Sequence, residues 1–158
     1  MADNTCNAVE VYEKFQKLTL KEMKRAITTG VRKGLLVIRN QARRNLRSLF
    51  PTANRRNPKY NDTLVEGIRS TRVKEKNGEF VGYVMATSNR KSGSGSYRLV
   101  FLEGGTVDRR TRKGYNRGRL QAAFFFTSAV ANKAEEYNRT LVKEINNTIE
   151  KINQKNLK

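Results

Sequence analysis

Residues Gly67 to Met85 read GIRSTRVKEKNGEFVGYVM, and this stretch decides the fold. Asn77-Gly78 is the strongest short hairpin signal, because both central positions of a type I′ turn need positive φ, which Asn and Gly adopt readily. Before the turn, Gly67 to Lys76 alternates imperfectly, with Ile68 and Val73 as its apolar members. After it, Phe80, Val81, Tyr83, Val84 and Met85 supply a returning strand. Asn89 to Gly95 (NRKSGSG) reads as a flexible connection, and Tyr97 to Leu102 as a further apolar strand stopped by Gly104-Gly105. The expected sheet is a small antiparallel β-meander of three to four strands.

Outward from this sheet, helical periodicity takes over. From about Leu18 to Phe50, Leu20, Met23, Ile27, Val31, Leu35, Ile38, Ala42, Leu46 and Leu49 recur every three or four residues and form one stripe. Thr19 followed by Glu22 is a capping box. Gly30 and Gly34 each cost a helix about 1 kcal/mol against alanine, which points to a kink or a close crossing. The other face carries Lys24, Arg25, Arg32, Lys33, Arg39, Arg43, Arg44 and Arg47. Pro51 ends the helix, and 51–61 (PTANRRNPKYN) reads as a turn-rich loop. A last helix is expected from about Gln121 to Gln154, with Phe126, Val130, Ala134, Tyr137, Leu141, Ile145, Ile149 and Ile152 on one stripe and a polar, fraying end. Two such helices with a small sheet make an α+β domain over 18–154. It follows an N-terminal segment, 1–17, with a short helix over Val9–Lys17, and precedes a frayed tail, 155–158. The helices look too long for the sheet to cover, which leaves apolar stripe for a neighbouring subunit.

Charge bounds the function. The 158 residues hold 33 Lys and Arg against 14 Asp and Glu, a net charge of +19. A chain this basic seeks anions: nucleic acid, an anionic membrane surface or acidic protein. The excess is uneven, with 14 Lys/Arg against 4 Asp/Glu in residues 1–60 and six against one in residues 108–119. That second segment, DRRTRKGYNRGR, sets Arg109, Arg110, Arg112, Lys113, Arg117 and Arg119 around Tyr115 on an expected flexible loop. Such a loop can hold phosphates while its ring stacks on a base, or dock an acidic partner, or simply be solvated.

Chemistry is sparse. The chain has no histidine, so Ser-His-Asp triads, Cys-His dyads and His-liganded zinc are ruled out, along with the usual near-neutral acid/base group. Cys6 is the only cysteine, which leaves no intrachain disulfide and no cysteine metal cluster. Glu66, Glu79 and Glu103 are the candidate carboxylates in or beside the apolar sheet region, and none forms an obvious pair. No P-loop follows the glycine pairs. The reading is therefore not an enzyme, without cofactor or metal. The polar start Met1-Ala2-Asp3-Asn4-Thr5 lacks a signal-peptide pattern and no apolar run approaches a membrane span, so a soluble protein made in the cytoplasm is expected.

Three segments carry a resemblance: Asp62-Thr63-Leu64-Val65-Glu66-Gly67-Ile68, Val100-Phe101-Leu102-Glu103-Gly104-Gly105-Thr106, and Ala122-Ala123-Phe124-Phe125-Phe126-Thr127-Ser128-Ala129. In this order, behind a long basic helix, they resemble the neck or tail-completion (head–tail joining) family of long-tailed bacteriophages. There a "TGxLxxSI"-like segment precedes the sheet, a "vEfGT"-like segment ends a strand and a "rPFlrpAl"-like segment opens the last helix. Gly67 stands where the family has serine, and Gln121-Ala122-Ala123 lacks the family's Arg-Pro. The resemblance spans roughly Leu18 to Glu150. It implies a structural virion protein, assembled as a homo-oligomeric ring around the DNA channel between neighbouring head-closure (connector) and tail proteins. Glu103, Gly104, Gly105 and Thr106 would be a strand-end turn, and the basic loop would face DNA or a neighbouring ring. The alternative is a free, sequence-nonspecific nucleic-acid-binding protein. A basic nuclease-type toxin is disfavoured by the missing acid/base groups.

Overall fold

The computed structural model describes residues 18–56, 63–86 and 97–156. The expected helix Val9–Lys17, the connection Asn89–Gly95 and part of the loop after Pro51 lie outside the described residues.

Helix α1 spans Leu20–Leu49, about 45 Å at 1.5 Å per residue. Its start is the capping box read from the sequence: Thr19 Oγ1 accepts from the Glu22 amide at 3.4 Å, and the Glu22 carboxylate accepts from the Thr19 amide at 2.9 Å. The chain leaves α1 through a 3-10 turn over Pro51–Asn54, which buries Ala53. Helix α3, Phe125–Asn156, returns antiparallel along α1. It continues past the expected fray point, with Ile152 buried near its end.

The two long helices meet through small residues. A Cβ on Gly30 would lie 2.6 Å from Ile145 Cγ1 and 2.9 Å from the Leu141 carbonyl, and one on Gly34 would lie 2.8 Å from the Tyr137 ring. The two glycines therefore mark a close crossing rather than a kink, since their missing side chains let α3 approach. Beyond it, Leu18, Ala26, Ile145, Ile149 and Ile152 form one apolar cluster. The stripes of α1 and α3 thus pack on each other along this crossing, while Leu20 and Leu49 at the two ends of the α1 stripe stay exposed. On α3 the stripe also shifts at its start: Phe125 and Ala129 are buried, whereas Val130 and Ala134 are exposed.

A second cluster at the other end gathers Ala42, Leu46, Val65, Ile68, Leu99, Phe125 and Ala129 with Ala53. Here the strands dock. Four short strands, β1 (Ile68–Ser70), β2 (Lys74–Lys76), β3 (Glu79–Val81) and β4 (Val84–Ala86), form two antiparallel pairs, β1 with β4 and β2 with β3. Ile68 lies opposite Ala86 and Lys74 opposite Val81, so the pairs are nested in a single hairpin closed by Asn77 (φ 53°) and Gly78 (φ 81°). Between them the ladder is carried by Thr71, whose amide donates to the Tyr83 carbonyl and whose Oγ1 accepts from the Tyr83 amide, both at 2.8 Å. The hairpin crosses α1 at Gly82, where a Cβ would come within 2.6 Å of Leu35 Cδ1. Arg43 Nε and Nη2 hold the Ile68 carbonyl at 3.0 and 2.8 Å, and Lys24 pairs with Glu75 at 2.7 Å.

The α+β class, the long first helix, the small set of antiparallel strands and the long last helix stand as read, but the strands form two two-stranded sheets within one hairpin rather than a single meander. The segment Tyr97–Leu102 does not stand as read: Arg98–Gly104 is a short helix, α2. A continuous apolar run carries no period that separates strand from helix. In space, Leu99 is buried, Leu102 and Glu103 are half-buried, and Arg98, Val100 and Phe101 are exposed, the spacing of a helix lying on the core.

Candidate functional site

The joint between α2 and α3 is built by the motif Glu103-Gly104-Gly105-Thr106, which closes a helix and not the expected strand. Phe124 supplies the carbonyl that accepts the first bond of α3, from the Ser128 amide at 3.0 Å. Its φ is 46°, and its aromatic side chain has no oxygen with which to cap. Glu103 does so from α2: its carboxylate accepts from the Phe126 amide at 2.8 Å, the Thr127 amide at 2.9 Å and Thr127 Oγ1 at 2.7 Å. A carboxylate at a helix N-terminus satisfies free N–H groups and meets the positive end of the dipole.

The remaining motif residues clamp the same joint. The Leu102 and Glu103 carbonyls accept from the Ala123 and Phe124 amides. Gly105 sits at φ 73°, and a Cβ there would lie 2.8 Å from the Leu120 carbonyl and 2.9 Å from the Ala122 amide. Thr106 donates its amide to the Leu120 carbonyl and accepts the Leu120 amide on Oγ1, both at 2.9 Å. Gly104 has open space around it.

From this clamp the basic segment projects as a loop drawn into a hairpin by one bridge and its flanking backbone bonds. Arg110 lies opposite Asn116. Arg117 donates to the Arg109 carbonyl at 2.7 Å, Thr111 to the Tyr115 carbonyl at 2.9 Å, and Gly114 (φ 83°) closes the tip by donating to the Thr111 carbonyl at 2.9 Å. Thr111 Oγ1 and Asn116 Oδ1 accept the amides of Tyr115 and Gly118. Small polar residues thus bond much of the backbone, and of the long cationic side chains Arg109 turns back on it, its Nε donating to the Gly118 carbonyl at 3.5 Å. Arg109, Arg110, Arg112, Lys113, Tyr115, Arg117 and Arg119 are all exposed, and among the described residues none of the six cations is in an ion pair. Side chains alternate across a strand, so this register puts Arg109, Tyr115 and Arg117 on one face, Arg110 on the other, and Arg112 and Lys113 at the tip.

Beside the hairpin root, Tyr97 and Phe101 meet edge to face at 6.4 Å, and the Arg98 guanidinium lies 5.9 Å from the Tyr97 ring centre. They border a groove of about 410 Å³ that Arg109 and Leu120 also line. On the other side of α2 an apolar groove of about 300 Å³ runs between Met85, Val100, Phe125 and Phe126. Exposed Met85, Tyr97, Val100, Phe101 and Phe124 gather at this end as an apolar surface.

The sequence reading missed a second cationic cluster. Arg25 and Arg32 of α1 converge with Lys151 and Lys155 of α3 around a cleft of about 260 Å³ that also holds Thr29 and Thr148. The i, i+7 and i, i+4 spacings were visible, but not which faces would meet. Elsewhere the basic face of α1 is partly structural: burial, with repulsion from Arg39 and Arg47, lowers the pKa of Arg43, and Arg47 bonds Asn54 Oδ1 at 3.2 Å.

The three candidate carboxylates stay apart in their roles. Glu103 caps α3. Glu66 forms its own box with Thr63, whose amide donates to the carboxylate at 3.0 Å while Thr63 Oγ1 accepts the Glu66 amide at 3.2 Å. That backbone bond holds the Glu66 pKa below its usual value. Glu79 is exposed at the end of β3. Among the described residues no three His, Cys, Asp or Glu side chains come together to hold a metal, and no helix is long and apolar enough to cross a membrane. No family model, curated protein or solved structure matches the chain.

Proposed function

We propose that the chain is a structural, non-enzymatic subunit of a phage neck or tail end, assembling into a homo-oligomeric ring that joins head to tail around the DNA channel. One observation carries this reading: the second and third segments behind the resemblance, 100–106 and 122–129, meet as one joint in which Glu103 caps α3 and Gly105 and Thr106 clamp its entry. Residues matched as motif thus act together in space, and they act on backbone rather than on a substrate. The apolar surface around α2 gives a subunit something to bury against its neighbour, where a +19 chain otherwise repels its own copies. A heterologous contact that closes on itself makes a ring.

The alternative, a free sequence-nonspecific nucleic-acid-binding protein, is favoured by the cationic hairpin. The two separate in particle composition. Mass spectrometry of purified virions from a phage encoding the chain should find it in a fixed copy ratio to the capsid protein. Its absence from virions, with nanomolar binding of nucleic acid by the monomer, would replace the ring with the alternative.

A further inference from the structure

We infer that the hairpin from Thr106 to Leu120 is a ribbon that grips the phosphates of duplex nucleic acid without reading sequence. The inference rests on the hairpin's own geometry and not on the ring. From clamp to tip each arm has about six residues, at most roughly 20 Å if fully extended at 3.3 Å per residue, and the arms pair at one bridge, Arg110 with Asn116, flanked by backbone bonds. A two-stranded β-ribbon fits the major groove of B-form DNA, where phosphates lie on both sides of it. The cations are placed accordingly. Arg109 and Arg117 lie on one face, Arg110 on the other, and Arg112 and Lys113 at the tip, with Asp108 the sole acid of the segment. An acidic protein would cover one face of the ribbon and leave the rest solvated. Single strands are bound on rows of aromatic rings; the ribbon itself carries Tyr115, and the aromatics at its root, Tyr97 and Phe101, are set edge to face against each other at 6.4 Å. The fold supports the reach: bonds from Thr106, Thr111 and Asn116 satisfy the ribbon backbone.

The test is fluorescence anisotropy with the full chain and two 24-base-pair duplexes of different sequence, titrated between 50 and 300 mM KCl. Each neutralised phosphate contact contributes about −0.9 to the slope of log K against log salt. The variant Arg110→Gln/Arg112→Gln/Lys113→Gln/Arg117→Gln should therefore flatten the slope by 3 to 4 and weaken binding at least 30-fold at 100 mM salt. Arg25→Gln/Arg32→Gln/Lys151→Gln/Lys155→Gln, which neutralises the cleft between the long helices, should keep most of the wild-type slope. Circular dichroism melts establish that both variants fold; if the hairpin variant does not, Arg112→Gln/Lys113→Gln at the solvated tip should still flatten the slope by nearly 2. The two duplexes should bind within about threefold of each other. Four outcomes would overturn the inference: no salt-dependent duplex binding, loss of the slope in the cleft variant only, tighter binding of a single strand than of duplex, or equal hairpin-dependent binding of polyglutamate. None of these depends on whether the chain forms a ring.

Discussion

Replacing Glu103 isolates the device on which the last helix depends. Glu103→Ala removes an acceptor for two first-turn amides and one hydroxyl of α3, and Phe124 offers no oxygen in its place. Loss of a side-chain N-cap costs about 0.5–2 kcal/mol, and loss of a carboxylate at the positive end of a helix about 0.3–1 kcal/mol more. Thr127 is exposed and can turn to water, whereas Phe126 is half-buried, so a total of about 2 kcal/mol is expected. For a chain of this length that corresponds to a fall of about 4–8 °C in Tm. Glu103→Gln keeps the length and one acceptor and should lose about half as much. Urea unfolding followed by circular dichroism measures both, and hydrogen exchange should show faster exchange confined to the amides of Phe126 and Thr127 in the folded variants. A Glu103→Ala chain melting within 1 °C of wild type, with those amides still protected, would refute the trans-capping argument.

Other perturbations follow from the same geometry. Gly30→Ala should destabilise by about 1 kcal/mol, because overpacking against Ile145 and the Leu141 carbonyl outweighs the gain in helix propensity; Gly104→Ala, with open space around it, should stay within about 0.5 kcal/mol of wild type in the same urea titration. Phe124→Gly relieves a positive φ on an exposed aromatic and should raise stability by about 1 kcal/mol, read as a higher melting temperature. The Glu66 pKa is held below its ordinary value of 4.5, first by the Thr63 amide. Its contribution is therefore present above that value and lost as pH falls below it through the folded pKa; melting curves between pH 3 and 6 should show Glu66→Gln converging on wild type at the acid end.

The long-period elements were legible because they repeat. The stripe of α1 with its Thr19–Glu22 box, the Asn77-Gly78 turn and the run from Tyr137 to Ile152 each offer several concordant residues. Tyr97–Leu102 was not legible, since six residues without alternation fit either state and only the docking of Leu99 against Ile68 and Phe125 decides. The basic segment was found from composition, but its hairpin pairing was not. Its ladder depends on hydroxyl and amide side chains, Thr111 and Asn116, accepting backbone protons, which resembles ordinary turn chemistry in the sequence. Glu103 was marked for its place in a motif, and its partner lies 23 residues on, beyond any local capping pattern. The apolar stripes of the two long helices looked unpartnered because nothing in either one announces that it packs on the other.

The central claim, that this chain is an assembly part, is tested most directly by negative-stain imaging of the purified protein at micromolar concentration and physiological salt. Closed rings of uniform diameter with a central opening are predicted, lost when Val100 and Phe101 on the exposed side of α2 are replaced by serine. A uniform monomer at every concentration would contradict it.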